Sequence, residues 1–250
     1  VFSIKVDVLG VLIDTSTMTE TVEYIRQSIR EQKYIRVVTA NPEMIYAANQ
    51  NQELAEIINS ADLVTTDGIG VVWAVRKLGS FIGERVTGID LVQALLPIAH
   101  SDKWRIFFLG SKPGVAELAA EKVSKDYPEL IWQAHHGYFQ SSEEEELIRR
   151  IKDFRPDLLL VGLGVPLQEY WIFAHQGLAA VSIGVGGSFD VLAGLVIRAP
   201  RWMQRWHLEW LYRIWREPWR WRRQLVLPRF VWKVLIYAGK QKKIRKITRS

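Results

Sequence analysis

The sequence predicts an α/β protein: a mostly parallel, Rossmann-like sheet with helices on both faces, plus a helical, basic and aromatic C-terminal appendage. Three observations carry that expectation. Strand-like and helix-like stretches alternate regularly up to Ile197, the pattern of a parallel sheet covered on both sides. The apolar runs stop at polar, glycine-containing turns, which in open parallel sheets deliver loops to the ligand end of the strands. At Arg198 the composition changes abruptly.

The elements follow in order. Val6–Ile13 and Tyr34–Thr39 are β-branched apolar runs that flank a helical pattern from Thr17 to Gln32. Asn41-Pro42 opens a helix with a polar cap and a proline in its first turn. Leu63–Thr66 reads as the next strand and stops at Asp67-Gly68. A helix over Ile89–Ala99 precedes the strand Trp104–Leu109, which Gly110 closes. Helix Val115–Asp126, strand Leu130–Ala134, helix Glu143–Phe154 and strands Asp157–Val161 and Ala180–Val185 complete the alternation. The body carries no internal repeat and no low-complexity segment.

A length of 250 residues fits one large α/β domain or a core with an appendage, and an apolar content of 48% allows a substantial core. The chain has no cysteine, so disulfides and thiolate metal sites are excluded, which fits a reducing cytoplasm. Val1 to Leu12 carries Lys5 and Asp7 within a short apolar stretch and reads as a strand, not a signal peptide. No uncharged apolar run reaches the roughly 18–20 residues that span a bilayer. Contact with a membrane is therefore expected from the side.

Charge is unevenly spread. The whole chain carries +6, but the segment from Arg198 to Ser250 holds 16 Lys or Arg against Glu209 and Glu217, a net +14, leaving −8 on the rest. Seven of the 11 tryptophans fall in the same segment. An acidic body with a basic, tryptophan-rich tail divides the chain into residues 1–197, a catalytic α/β domain, and residues 198–250, an appendage. Pro200, Pro218 and Pro228 cut that tail into short pieces. Between the first two, Arg201–Glu217 predicts an amphipathic helix. Arg201, Arg205, Glu209, Arg213 and Arg216 lie on one arc of it, with Met203, Trp206, Trp210, Leu211 and Ile214 on the other. After Pro228, the run Phe230–Ala238 is too short to span a bilayer and ends in Lys240, Lys242, Lys243, Arg245, Lys246 and Arg249.

Five polar segments fall where strands end: Thr39–Met44, Thr65–Gly70, Gly110–Gly114, Gly162–Glu169 and Gly184–Asp190. Glycine-rich loops let backbone amides approach a phosphate, and a following helix N-terminus adds a favourable dipole. None of the late loops completes G-x-G-x-x-G, because Phe189 stands where the third glycine would fall, and there is no G-x-x-x-x-G-K-[ST]. Dinucleotide oxidoreductase and P-loop ATPase chemistry are weakened accordingly. No D-x-D triplet or His/Asp/Glu cluster suggests a metal, and the adjacent His135 and His136, if both in a strand, point to opposite faces.

Seven motifs occur in order: Thr39-Ala40-Asn41-Pro42-Glu43, Asp67-Gly68-Ile69-Gly70, Glu84-Arg85-Val86-Thr87-Gly88-Ile89-Asp90, Gly164-Val165-Pro166-Leu167-Gln168-Glu169, Gly186-Gly187-Ser188-Phe189-Asp190, Ala199-Pro200-Arg201-Trp202 and Glu209-Trp210-Leu211-Tyr212-Arg213. In this series the chain resembles the WecG/TagA/CpsF glycosyltransferases (glycosyltransferase family 26), from about Val6 to Arg223. The resemblance implies transfer of N-acetylmannosamine, or a related sugar, from a UDP donor to a polyprenyl(undecaprenyl)-diphosphate-linked N-acetylglucosamine. It further implies inversion at the anomeric centre, no metal and no cofactor.

Residue by residue, the resemblance makes Asp67 the base that takes the acceptor hydroxyl proton in a single displacement. Thr39, Asn41 and Gln168 match pocket positions, and Arg85 matches the pocket arginine that meets the departing diphosphate. Each also has a plainer role: turn or cap for Asp67, N-cap for Asn41, an ion pair with Glu84 for Arg85 and first-turn preference for Gln168. Tail arginines Arg213, Arg216, Arg220 and Arg223 are candidates to grip the lipid diphosphate, and the sequence does not choose among them. Tryptophans and basic groups suit the interface of an anionic membrane, so a peripheral location on the cytoplasmic face of the cell membrane is expected. Homo-oligomerisation stays open. The competing readings are a nucleic-acid-binding module that uses the Arg/Trp tail, which leaves the glycine loops without purpose, and another nucleotide-dependent enzyme on the same fold.

Overall fold

The structure, a computed structural model, describes residues 4–82, 84–200, 202–203, 206, 208–216, 221 and 225–247. The chain opens with a hairpin of two antiparallel strands, β1 (Lys5–Val8) and β2 (Val11–Asp14). This corrects the single strand expected over Val6–Ile13. Leu9 and Gly10 both take positive φ, 58° and 94°, the geometry of a two-residue turn whose twist matches its strands. The apolar alternation runs straight through that turn, so periodicity alone hides it.

A capping box between Thr17 and Glu20 starts α1 (Met18–Arg30). Then follow β3 (Ile35–Ala40), α2 (Pro42–Ala48), α3 (Gln52–Asn59), β4 (Leu63–Thr66), α4 (Ile69–Lys77) and α5 (Gly88–Ser101). The second half contains β5 (Arg105–Gly110), α6 (Val115–Asp126), β6 (Ile131–His135), α7 (Ser141–Phe154), β7 (Leu158–Gly162), α8 (Leu167–Ala174), β8 (Val181–Gly184) and α9 (Ser188–Leu192). The tail supplies α10 (Glu209–Arg216) and α11 (Val226–Ile247).

Strands β3 to β8 form one six-stranded sheet in the order β4-β3-β8-β7-β5-β6, parallel at every pairing. Successive residues feed opposite faces, as parallel strands buried on both sides require. Phe108, Leu160 and Ile183 join the core under α1, α5 and α6, while Phe107, Leu159 and Val161 pack with α7 and α8. The hairpin, α2, α3 and α4 close the same face at the β3–β4 end. There Asp14, 2% exposed, accepts the Val64 amide, so the hairpin occupies the outer edge of β4.

Two tail expectations change. Within Arg201–Glu217 the described residues place a turn at Trp206 and begin α10 only at Glu209. Pro228 does not separate elements: it sits in the first turn of α11, where a missing amide proton costs no helical bond. That helix runs for 22 residues and lies on α2 and α4, burying Phe230, Val234 and Ala238 among Met44, Ile45, Val71 and Val75. Tyr237 donates to Asp7 at 2.9 Å, a further tie to the hairpin. Among the described residues no helix is long and apolar enough to cross a membrane.

Candidate active site

The C-terminal ends of β4, β3 and β8 are adjacent, and the segments that follow them converge. The β3–β8 contact is the seam between the early strands β3–β4 and the later strands β5–β8. Thr39, near the end of β3, is buried and donates its hydroxyl to the Gly184 carbonyl of β8 at 2.8 Å. Two residues on, Asn41 caps α2, its Oδ1 accepting the Met44 amide at 2.9 Å. The cap commits the carboxamide oxygen and leaves its NH2 group for a ligand.

Asp67 follows β4, half-buried, with its amide bonded to the Ala40 carbonyl and its Oδ2 3.4 Å from the Gly88 amide at the start of α5. The intervening segment returns beside β4: the Val86 amide donates to the Thr66 carbonyl, and Thr65 Oγ1 donates to the Val86 carbonyl. This fold-back sets Arg85 beside the strand end that carries Asp67.

Arg85 pairs with Asp90 at 3.6 Å and with Glu209 of α10 at 3.5 Å, not with Glu84, whose carboxylate caps the Met18 amide instead. Arg198 joins the same group, at 2.8 Å from Asp90 and 3.6 Å from Glu209. Burial pushes the Asp90 carboxyl up, but hydrogen bonds from Thr87 and Arg198 and the charge of Arg85 outweigh it and hold Asp90 below the usual carboxylate range.

Gln168, in the first turn of α8, is 1% exposed. Its Oε1 accepts the Gly186 amide at 3.0 Å and its Nε2 donates to Glu169 at 2.7 Å. Gly184 has no side chain because a Cβ there would lie 2.7 Å from that Nε2. The carboxamide therefore shapes the loop after β8, and its remaining N–H is the only one left for a ligand. Glu169 is buried too; desolvation raises its pKa to about 7 against the hydrogen bond from Gln168.

The structure thus brings Thr39, Asn41, Asp67, Arg85 and Gln168 to one end of three adjacent strands. Of the tail arginines, Arg216 is exposed at the end of α10, and the backbone of Arg213 lies within that helix. Arg220 and Arg223 lie outside the described residues. His135 and His136 do not diverge as expected: His136 is beyond β6, and the ring centroids stand 4.4 Å apart. Among the described residues no group of three or more His, Cys, Asp or Glu is placed to hold a metal ion. Sequence reasoning missed Arg198, Glu209 and Glu169 as partners of the site. Glu169 and Glu209 sit inside quoted motifs, but only the fold shows what they touch.

In open parallel α/β sheets ligands bind outside the carboxyl ends of the strands, and that is where these polar side chains and Arg85 are gathered. The model of the WecG/TagA/CpsF glycosyl transferase family matches residues 6–244. The chain is 38% identical over 246 residues to the N-acetylglucosaminyldiphosphoundecaprenol N-acetyl-beta-D-mannosaminyltransferase of Staphylococcus aureus strain MW2, covering 97% of this chain and 95% of the relative. The proteins of the same name from strains NCTC 8325 / PS 47 and COL match equally, at 38% over the same shares. The chain belongs to the WecG/TagA/CpsF family and is a glycosyltransferase.

Proposed function

We propose that this enzyme transfers N-acetylmannosamine, or a related sugar, from a UDP-sugar to a polyprenyl-diphosphate-linked N-acetylglucosamine, with inversion and without a metal. The observation that carries this reading is the gathering of Asp67, Asn41 and Arg85 at the ends of β3 and β4, in a chain whose relatives are named as N-acetylglucosaminyldiphosphoundecaprenol N-acetyl-beta-D-mannosaminyltransferases. In a single displacement the acceptor hydroxyl attacks the anomeric carbon while the bond to the diphosphate breaks. Asp67 takes the hydroxyl proton. Arg85, always charged and able to offer two donors, meets the negative charge that develops on the departing UDP. Asn41 offers its NH2 group to the sugar, and Thr39 and Gln168 fix the loops around it.

The tail carries the membrane role in this reading. On α11 Trp232 and Ile236 lie opposite the buried stripe and are exposed, with Val231 and Leu235 exposed on its flank, and Trp202, Trp206, Trp210, Trp215 and Trp221 are exposed as well. Exposed tryptophans beside Arg216, Arg229 and Lys240 suit an anionic bilayer surface, which also holds the lipid acceptor. Residues 198–250 then serve as a membrane-associating appendage on the cytoplasmic face, with arginines of α10 and the segment after it reaching the lipid diphosphate.

A screen of UDP-sugars with a short-chain polyprenyl-diphosphate-N-acetylglucosamine acceptor, with and without EDTA, tests the reading. The expected result is one added N-acetylhexosamine in product mass, matched by UDP release and unaffected by EDTA. UDP release without glycosylated product, or transfer only to another acceptor class, contradicts it.

A further inference from the structure

Gln168 and Glu169 are neighbours in the first turn of α8, and both are enclosed, at 1% and 3% exposure. An exposed acid in a first turn needs no reason beyond the helix dipole. An enclosed one costs stability, and an apolar side chain would fill the same space without that cost. Glu169 Oε1 accepts Gln168 Nε2 at 2.7 Å, whereas Oε2 is buried and makes no well-formed hydrogen bond. Gln168 and the backbone amide of Glu169 itself ease the burial but do not cancel it, and the carboxyl is raised to about 7.

The pair bears on one backbone group. A carboxamide has a donor end and an acceptor end of similar shape, so its partners decide which way round it sits. Here Glu169 takes the donor end, and the oxygen at the other end accepts the Gly186 amide at 3.0 Å. The Gly186 carbonyl lies against Gly162, where a Cβ would come within 2.8 Å of it. On the strand side, a Cβ at Gly184 would lie 3.2 Å from Glu169 Oε1, and the Gly184 carbonyl accepts the Thr39 hydroxyl. The loop after β8 is thus held between β3, β7 and α8. A reversed carboxamide would set an NH2 group against the Gly186 N–H and push that loop away.

We propose that Glu169 is a positioning residue for sugar transfer: as the acceptor that Gln168 must face, it sets the orientation of the Gln168 carboxamide and through it the place of the Gly186 amide in the site. Glu169 acts through Gln168 and does not itself meet the substrate. The positioning stands on the geometry of the pair; its effect on transfer rests on the proposed function, in which Gln168 fixes a loop around the donor sugar.

Amide hydrogen exchange and transfer kinetics of the full chain test this together. Glu169→Met keeps the length of the side chain and removes both oxygens. Its urea midpoint at pH 8 is expected to be no lower than the parent's, because the buried acid is gone. Exchange at Gly186 nevertheless quickens by about tenfold, and kcat/KM for the donor falls by about as much. Glu169→Gln, which can present an oxygen at the same place, recovers most of both losses. In a Gln168→Met background, Glu169→Met costs nothing further in kcat/KM, as residues acting through one contact require. Glu169→Asp, which draws the carboxyl back by one methylene, gives a partial loss and preserves the test should the methionine variant fail to fold. Parent-like exchange and kinetics in Glu169→Met, or losses that add to those of Gln168→Met, overturn the inference and leave Glu169 a packing residue. If the parent chain transfers sugar but neither readout responds to Glu169, the inference fails and the functional reading stands. If exchange responds as expected but the parent chain transfers no sugar, the functional reading fails and the positioning stands.

Discussion

Thr39 donates its hydroxyl to the carbonyl of Gly184 at 2.8 Å, and this bond joins β3 to β8 at the seam where the two halves of the sheet meet. Thr39→Val keeps the shape but removes the donor and strands a buried carbonyl. Urea unfolding is expected to show a loss of about 1 kcal/mol or somewhat more. Because the same bond aligns the Asn41 and Gly186 segments, kcat/KM falls as well. A variant equal to the parent in both measurements would mean that the seam does not depend on this bond.

Glu169 makes stability depend on pH in a specific direction. Burial raises its carboxyl from 4.5 to about 7, so between those values the folded chain binds a proton that the unfolded chain releases. The associated stability is present below pH 4.5 and is lost as pH rises through 7, by an amount on the order of 3 kcal/mol. Glu169→Gln removes this component. Urea titrations at pH 5 and pH 8 are expected to show a larger decline for the parent chain than for the variant. Parallel declines would contradict the assignment.

The two faces of α11 separate folding from membrane binding. Phe230→Ala opens a void against α2 and α4 and is expected to cost about 3–5 kcal/mol. Replacing Trp232, Leu235 and Ile236 together by serine touches only the exposed face, so the unfolding midpoint changes little while binding to anionic liposomes collapses. Transfer to a soluble short-chain acceptor persists in that variant. Liposome binding equal to the parent's would remove the membrane role assigned to α11.

Much of the fold was legible because β4, β5, β7 and β8 end at threonine or glycine, and because α1, α2 and α5 start at Thr17, Asn41 and Thr87 side-chain caps. Local pattern failed where tertiary context decides. Leu9 enters a positive-φ turn without an Asn-Gly signal, so one strand was expected where two lie antiparallel. α4 is rich in β-branched residues and gives no clear helical period, yet packing between β4 and α11 makes it a helix. Pro228 reads as a break until the helix is seen to start two residues before it. The site divides the same way. Asp67, Asn41 and Arg85 stand in motifs at loop positions, whereas the partnership of Arg85 with Glu209 spans 124 positions and leaves no local trace.

If Asp67 is the base, turnover of Asp67→Asn with the short-chain acceptor reports its role without altering the acceptor or the donor. Asparagine keeps the size and can still accept the Gly88 amide hydrogen bond, but it cannot take a proton from the acceptor hydroxyl. The expected result is a fall in kcat of about 10²–10⁴-fold with donor affinity nearly unchanged. Near-normal turnover by a folded Asp67→Asn protein would contradict it.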